Sequence, residues 1–456
     1  MSKINNNQLN NIQIKKIKYF PNLSKQLFSK IEHLSWSMLL SSASSVHKNS
    51  RFDILVSLPK VKLETYSNIT TVDTELASYS TSSDPFKLIS ELQDLYLPNV
   101  STELQFPFIG GILGYFSYDL GRRIENISNF SEKDIDLPDM AVGFYEWAII
   151  VDHRLKAAFV VGLNVDKYWQ WISNQVKSSQ SKFHLTEKWQ SNMDKISYTN
   201  KFDKIQEYIF NGDCYQINLA QRFHTKCIGS EWEAYQRLEK LNLSPFSAFI
   251  RIKKGTIISL SPERFLEVNN GLIKTNPIKG TRPRSKDYNK DKNYALELIN
   301  SEKDQAENLM IVDLLRNDLG RVAKPGTVHV PNLFFIESFP AVHHLVSTVT
   351  AKLDSKYSYI ELLRSSFPGG SVTGAPKIRA MNIIEELEPN RRHIYCGSIG
   401  YISRNHKMDT NIAIRTLLIK DRKIYAWAGS GIVADSNRDS EYQETLDKLS
   451  QILKVL

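Results

Sequence analysis

One short stretch of the sequence predicts an antiparallel hairpin, and it constrains the fold more than any other segment. Residues 264–268 and 272–276 are strand-like runs, and the Asn-Asn-Gly sequence at 269–271 favours a tight turn between them. Pairing that is symmetric about this turn brings Glu263 and Lys279 within about two residues of each other across the ladder, roughly 5–8 Å apart at Cβ. The sequence therefore predicts that an acid and an amine meet at one end of a hairpin.

Strand-like and helical segments follow one another in an order that indicates the fold class. The runs 52–56, 143–151 and 157–161 read as strands, and apolar residues recur at helical spacing over 198–210. Strands come first and mixed helical and strand segments follow. This order predicts an α+β protein whose sheets are largely antiparallel.

A polar stretch suggests the one internal boundary of the chain. We predict a strand-rich N-terminal region over 1–176, a polar connecting segment over 177–195 and a catalytic region over 196–456. Serines crowd the middle segment and apolar residues are scarce in it, which is also typical of a surface loop.

Composition excludes several classes of protein. The net charge is +9, but acids alternate with bases along the chain and no recognition motif accompanies the charge, so we expect anionic substrates rather than nucleic acid. No apolar run approaches the roughly 18 residues that span a membrane, and the polar residues 1–15 lack a signal core. The three cysteines show no metal spacing and cannot all pair internally. We expect a cytoplasmic protein.

Lys279 is the first candidate catalytic residue. It is predicted to lie on a short turn bounded by Pro277 and Gly280, after an apolar strand. A lysine amine is a nucleophile when its surroundings keep part of it unprotonated. A surface lysine in a basic loop is the alternative from the local motif alone.

Two pairs of carboxylates are candidate metal ligands. Asp304 and Glu307, and likewise Glu441 and Glu444, are three residues apart in helical segments, so each pair shares a helix face. Oxygen ligands without Cys or His suit Mg²⁺. A solvated helix face is the alternative interpretation of each pair taken alone.

Two glycine-rich segments and one arginine suit the binding of anions. The segment 367–377 runs into a predicted helix, and although it is not a P-loop, its glycines and the helix N-terminus favour a carboxylate. A second glycine loop is predicted at 428–431. Arg415 is predicted to lie on a strand, as a bidentate carboxylate anchor or as an edge arginine in water.

His343 and His344 should point to opposite faces of a strand, so at most one faces a given pocket.

Taken together, these segments resemble the chorismate-utilising enzymes over nearly the whole chain. The resemblance rests on long matches in one order, namely 212–220, 261–265, 306–322, 366–377, 429–436 and 441–445. It implies a large, mainly antiparallel two-sheet fold with surrounding helices. It also implies chorismate as the substrate.

The resemblance assigns roles to individual residues. The catalytic residues it implies are Lys279, Glu263 and His344. The metal ligands it implies for Mg²⁺ are Glu307 and Glu444, with Asp304 and Glu441 beside them. The substrate-binding residues it implies are Gln216, Thr373, Tyr395, Arg415, Gly429, Gly431 and Lys448. A tryptophan-like effector pocket is implied at Ser42, Asn49, Ser50, Arg51, Phe52, Pro245, Phe246 and Ser247.

Two positions distinguish the branches of this family. Lys279 combined with Gln216 resembles the branch that converts chorismate and ammonia to 4-amino-4-deoxychorismate, for 4-aminobenzoate and folate synthesis. The implied mechanism has Lys279 attack C2 while the C4 hydroxyl leaves with help from Glu263, after which ammonia adds at C4 and expels the lysine. No glutaminase motif is recognisable, so a glutamine amidotransferase partner is implied.

Other functions remain as alternatives. An anthranilate synthase component has the same fold but makes an ortho amine. An inactive interaction subunit is disfavoured, because every expected catalytic position is filled.

Overall fold

The computed structural model describes residues 11–42, 49–178, 181–339 and 342–456. Strands of the first half are β1 (Gln13–Ile17), β2 (Met38–Ser41), β3 (Phe52–Val56), β4 (Val61–Tyr66), β5 (Ile69–Thr74), β6 (Ser78–Thr81), β7 (Gly111–Phe116), β8 (Met140–Tyr145), β9 (Trp147–Asp152), β10 (Ala157–Gly162), β11 (His184–Leu185) and β12 (Gln190–Ser191). Strands of the second half are β13 (Gln216–Ile228), β14 (Phe246–Ile252), β15 (Gly255–Ser261), β16 (Arg264–Asn269), β17 (Leu272–Thr275), β18 (Ile278–Pro283), β19 (His329–Ser338), β20 (Val342–Lys352), β21 (Gly374–Ala375), β22 (Ser398–Ser403), β23 (Lys407–Asn411), β24 (Thr416–Lys420) and β25 (Lys423–Ile432).

Helices pack around these strands. They are α1 (Leu23–Phe28), α2 (Pro85–Tyr96), α3 (Val165–Asn174), α4 (Lys195–Phe210), α5 (Glu231–Asn242), α6 (Tyr288–Ile299), α7 (Glu302–Gly320), α8 (Tyr359–Ser366), α9 (Lys377–Leu387) and α10 (Arg438–Val455), with 3₁₀ turns at Tyr118–Arg123 and Gly370–Val372. Within the described ranges, no helix has both the length and the apolar character that a membrane crossing requires.

The strands form two large antiparallel sheets. The first, of 13 described strands, has the order β1-β10-β9-β3-β2-β14-β15-β24-β25-β13-β11, with β12 and β21 also paired to β13. The second, of 12 described strands, has the order β18-β20-β17-β16-β23-β22-β7-β8-β4-β5-β6, with β19 paired to β20. The predicted α+β class with largely antiparallel sheets is confirmed.

Apolar side chains fill two layers. Ile54 and Ile250 of the first sheet join Leu63 and Val142 of the second in one core, which lies between the sheets. A second core joins the other face of the first sheet to helices, and Trp232 of α5 is fully buried in it. Strands from both sides of the 177–195 segment contribute to both sheets, whereas the division of the sequence into regions stays a prediction.

The predicted hairpin is confirmed in position and register. Strands β16 and β17 pair Glu267 with Lys274 and Asn269 with Leu272. Asn270 and Gly271 form the turn with φ of +50° and +79°. Positive φ at both central residues gives a turn whose twist matches that of the strands, which explains the Asn-Gly sequence.

The described chain changes sheet repeatedly, and three of these crossings bear on the strand and site predictions. The single strand predicted at 143–151 is wrong, because β8 lies in the second sheet and β9 in the first, with Glu146 between them. Both strands are buried on both faces, so an apolar run interrupted only by Glu146 conceals the crossing. The other two crossings are the steps from β15 to β16 at 262–263 and from β23 to β24 at 412–415.

Candidate active site

The two later sheet crossings lie against each other and place Glu263 and Arg415 at the seam between the sheets. The amide of Ile412 donates a hydrogen bond to the carbonyl of Glu263 (3.1 Å), and the amide of Leu260 donates to the carbonyl of Arg415 (3.0 Å). The hydroxyl of Ser261 also donates to the carbonyl of Ile412 at 2.6 Å. These bonds fix both segments, so the two side chains start from a rigid backbone.

Lys279 is a buried amine on strand β18. The predicted turn is wrong: the residue pairs with Leu345 of β20 and a bulge follows at Gly280, whose φ is +70°. A Cβ at Gly280 would lie 2.8 Å from a carboxylate oxygen of Asp304, so only glycine lets the strand approach α7 here. Burial lowers the pKa of Lys279, although Glu307, with an oxygen 3.9 Å from Nζ, opposes this shift. A lowered pKa favours the neutral form of the amine, which is the form that acts as a nucleophile.

Glu263 is a buried acid that faces Lys279. Its side chain accepts a hydrogen bond from the Ser371 hydroxyl (2.8 Å) and another from the amide of Ile278, the residue before Lys279. Burial raises the pKa of Glu263 to about 7, although Ser371 and the positive charge of Lys279 act in the opposite direction. An acid with a pKa near neutrality is suited to donating and accepting protons.

The four predicted metal ligands lie near the N-termini of two helices. Ser301 caps α7 by accepting a bond from the Asp304 amide (3.3 Å), and Asn437 caps α10. Asp304 and Glu307 therefore belong to the first turns of α7, and Glu441 and Glu444 to those of α10, where the helix dipole favours negative charge.

Basic side chains pair with these carboxylates in the structure. Contacts join Lys448 to Glu444 (2.6 Å), Lys303 to Glu441 (3.5 Å) and Arg282 to Asp304 (3.3 Å). Burial raises the pKa of Glu307. A cation bound nearby would lower this pKa again, because it favours the charged carboxylate.

The four carboxylate side chains are chemically suited to a hard cation. All four side chains offer oxygen, and Glu307 and Glu444 both act electrostatically on Lys279. Within the described part of the chain, however, no three acidic, histidine or cysteine side chains are gathered as a metal cluster. The carboxylates would have to exchange their basic partners for a metal ion.

The second glycine segment is part of a strand, so the loop predicted at 428–431 is wrong. Strand β25 continues through it and pairs Gly429 with Ala220 and Gly431 with Asn218 of β13. A Cβ at Gly431 would lie 2.5 Å from the amide nitrogen of Gln216 and 3.6 Å from Nζ of Lys279. Gln216 thus approaches the strand so closely that a side chain at position 431 would displace its amide.

Gln216 lies fully buried beside Lys279. Neither atom of its side-chain amide has a hydrogen-bond partner among the described residues. Such an amide costs free energy unless a ligand satisfies it. Lys448 of α10 donates a hydrogen bond of 2.9 Å to the carbonyl of Gly429 on the neighbouring strand β25.

Arg415 is an unpaired cation at the seam. The predicted strand is wrong, because Arg415 lies between β23 and β24 with φ of +49°. No carboxylate or other acceptor among the described residues pairs with its guanidinium, and burial lowers its pKa. Nearby, Tyr395 is buried with its ring parallel to Trp427, at 6.4 Å between centroids. A half-buried, unpaired guanidinium is suited to binding an anionic group of a ligand.

The first glycine-rich loop closes over Glu263. The Thr373 hydroxyl donates to the carbonyls of Gly369 and Gly370 (3.2 and 3.3 Å), so it stabilises the loop itself. Ser371 is the residue that reaches Glu263, and sequence reasoning missed it. The only signal for it was its place inside the 366–377 match.

His344 lies on β20 next to Leu345, the residue that pairs with Lys279. Its Nδ1 is 2.9 Å from the Thr281 hydroxyl, and its ring packs edge-on against Phe339. His343 instead reaches Asp291, so the two histidines diverge as predicted. The catalytic role of His344 stays a prediction.

Most of the predicted effector residues line a cavity of about 90 Å³, which exceeds the space one water needs. Five of the eight line it: Asn49, Phe52, Pro245, Phe246 and Ser247. The other three lie close in sequence but turn elsewhere. Ser42 donates to Asp53, Arg51 pairs with Asp152 at 2.8 Å, and the buried Ser50 hydroxyl has no partner among the described residues. Tyr401 and Asp409 also line the cavity and were not predicted.

Comparison with known proteins places this geometry in context. The family model for chorismate binding enzyme matches residues 41–454. The chain is 52% identical to aminodeoxychorismate synthase component 1 of Escherichia coli (strain K12), over 94% of this chain and 95% of that protein. It is 35% identical to anthranilate synthase component 1 of Aquifex aeolicus (strain VF5), covering 92% and 89%. The structure of anthranilate synthase component I from Streptococcus pneumoniae TIGR4 superimposes with a TM-score of 0.79 at 30% identity, covering 89% and 92%.

Proposed function

The chain belongs to the chorismate binding enzymes, and from this premise we propose that it converts chorismate and ammonia to 4-amino-4-deoxychorismate. The observation that carries the proposal is the Lys279 amine, buried beside the Glu263 carboxyl and against the unpartnered amide of Gln216. The higher identity to aminodeoxychorismate synthase component 1 than to anthranilate synthase component 1 supports the same branch.

The proposed reaction is a pair of allylic displacements. The neutral amine of Lys279 forms a bond to C2, the ring double bond shifts, and the C4–oxygen bond breaks. Glu263 gives its proton to the departing hydroxyl, which leaves as water. Ammonia then forms a bond to C4, the double bond returns, and the C2–nitrogen bond breaks to free Lys279. The Glu263 carboxylate takes up the proton that ammonia loses, so the enzyme returns to its starting state.

Charged groups around the seam would hold the two carboxylates of chorismate. We assign the enolpyruvyl carboxylate to Arg415 and Tyr395, because the unpaired guanidinium gains an anionic partner there. The ring carboxylate is assigned to Lys448 and the backbone at Gly429 and Gly431. Thr373 supports this pocket through its loop, and His344 is proposed to line it.

Mg²⁺ is the proposed cofactor. Glu307 and Glu444 would hold it, with Asp304 and Glu441 beside them, in exchange for the basic partners that these carboxylates now contact. When bound, the metal supplies positive charge that binds and orients the ring carboxylate of chorismate.

A second subunit is proposed to supply ammonia. The names of the similar proteins, component 1, imply a partner component. We propose a glutamine amidotransferase in this role and a cytoplasmic location for the complex. The cavity at Phe52 and Phe246 is proposed to bind tryptophan or a similar aromatic amino acid.

The test is mass spectrometry of the intact protein after incubation with chorismate and Mg²⁺ in the absence of ammonia, followed by peptide mapping. We expect an adduct with the mass of chorismate less water on Lys279, and none on Lys279→Ala. Product analysis with ammonium then separates the para amine from the ortho amine of an anthranilate synthase. Formation of the ortho product, or an adduct that persists in Lys279→Ala, would refute the proposal.

A further inference from the structure

The loop over 367–377 has two side-chain attachments that the proposed mechanism does not use. At its centre, Ser371 Oγ donates a hydrogen bond of 2.8 Å to Oε1 of Glu263. At its end, Nζ of Lys377 lies 2.6 Å from Asp318 and donates at 2.9 Å to the carbonyl of Ser366. Both attachments are buried: Ser371 and Glu263 are 9% and 5% exposed, and the Lys377 and Asp318 side chains are 9% and 1% exposed.

The Lys377–Asp318 pair joins the loop to α7, the helix that carries Glu307. A buried charge that loses its partner is strongly unfavourable, so each side chain of the pair holds the other in place. Backbone bonds anchor the rest of the loop, because the Asn218 amide donates to the carbonyl of Thr373 at 2.9 Å. Ser371 therefore acts from a segment that is fixed on both sides.

We propose that Ser371 is a positioning residue for Glu263, and that the Lys377–Asp318 ion pair holds the loop from which it acts. This inference rests on the proposed function, since it concerns the acid that protonates the departing hydroxyl. The Ser371 hydroxyl and the Ile278 amide reach the carboxyl from two different elements. Two donors restrict rotation of the carboxyl group and keep its remaining lone pairs or proton in one orientation.

Orientation matters because general acid catalysis requires the proton within hydrogen-bond reach of the leaving oxygen. The Ser371 hydroxyl also stabilises the carboxylate that remains after proton transfer. Lys279, Lys448 and Cys396 also interact electrostatically with Glu263, and none of them lies on the loop. Loss of the hydroxyl thus changes Glu263 without changing those groups.

The test compares Ser371→Ala with Ser366→Ala, using ammonium as the nitrogen source. Ser366 is a matched control, because its buried hydroxyl has no hydrogen-bond partner among the described residues. We expect kcat of Ser371→Ala to fall about 10- to 100-fold, while KM for chorismate changes little. The alkaline limb of the pH profile of kcat/KM should move to higher pH, since the lost hydrogen bond favoured the charged form. Ser371→Thr keeps the hydroxyl and should keep the limb of the unmodified protein.

Two results would overturn the role of Ser371: a Ser371→Ala profile equal to that of Ser366→Ala, or a Ser371→Thr limb displaced as far as that of the alanine variant. Failure of the proposed function looks different, because the unmodified protein would then give no 4-amino-4-deoxychorismate.

The ion pair is tested with Asp318→Asn against Asp313→Asn on the same helix. Asp313 forms an exposed pair with Arg316 at 2.8 Å, so its loss should change nothing. Asp318→Asn should lower kcat and shift the alkaline limb in the same direction as Ser371→Ala. If the asparagine variant does not fold, Asp318→Glu keeps the charge and should show a weaker shift. A folded Asp318 variant with an unshifted limb would overturn this part of the proposal.

Discussion

Replacing Arg415 with methionine should separate binding from stability. The guanidinium has no partner among the described residues, so the substitution removes a cation without leaving a buried carboxylate unpaired. The left-handed backbone at φ +49° is equally strained with either side chain, because both carry a Cβ. The variant thus tests the cation alone.

The substitution should weaken the binding of chorismate without lowering the stability of the folded protein. Hydrogen bonds to a charged group contribute about 1.5–3 kcal/mol, so KM for chorismate should rise roughly 10- to 100-fold. The free energy of unfolding should stay the same or rise by about 1 kcal/mol, because an unpaired, partly buried charge has been removed.

Arg264→Met is the matched control, since Arg264 is a buried arginine with partners. It donates to both oxygens of Asp409 (3.0 and 2.9 Å) and to Glu267 (2.9 Å). Its loss leaves the partly buried Asp409 without its main partner and should lower the free energy of unfolding by up to about 3–5 kcal/mol. Urea denaturation and steady-state kinetics with ammonium measure both effects. Destabilisation of Arg415→Met as large as that of Arg264→Met, or an unchanged KM, would refute the reasoning.

Three further substitutions test the site. Glu263→Gln should lower kcat about 10²–10⁴-fold. Glu263 has a pKa of about 7 in the folded protein, so it keeps its proton there at pH values at which the unfolded chain has lost it. The free energy of unfolding of the unmodified protein should therefore fall as pH rises from about 4.5 to 7. The glutamine variant should lack this fall. Urea denaturation at pH 8 should therefore show it to be more stable than the unmodified protein by an amount on the order of 3 kcal/mol. An equal pH dependence of the two proteins would contradict the burial of an ionisable Glu263. Gly431→Ala should reduce adduct formation on Lys279, because its Cβ would lie 2.5 Å from the Gln216 amide; a normal adduct rate measured by mass spectrometry would contradict this contact. Glu307→Gln should weaken Mg²⁺ binding measured by calorimetry, whereas an unchanged titration would exclude Glu307 as a ligand.

Local sequence determined the elements that rest on local physics. The Asn-Gly turn after residue 269 requires positive φ, so it specified the hairpin and its register without help from the rest of the chain. Carboxylates three residues apart were placed on α7 and α10 by helix periodicity. From the sequence, therefore, an acid and an amine at one hairpin end and two acidic helix faces could be predicted.

Tertiary structure decided where the chain crosses between the sheets. Strands β8 and β9 form one apolar run, and periodicity cannot show that they belong to different sheets. For the same reason Arg415 was placed on a strand, although it lies in a crossing between strands. Gly429 and Gly431 suggested a loop, whereas side chains of β13 that approach β25 require glycine in a strand.

The environment of each charge was also set by tertiary contacts. Ser371 is 108 residues from Glu263, and Lys377 is 59 residues from Asp318. Spacing along the chain carries no information about such pairs, and burial depends on which elements cover them. The sequence by itself thus determined which chemical groups this protein carries and the local elements that hold them. Only the packing of two sheets decided which groups are buried, paired or free, because desolvation and Coulomb interactions act between residues distant in sequence.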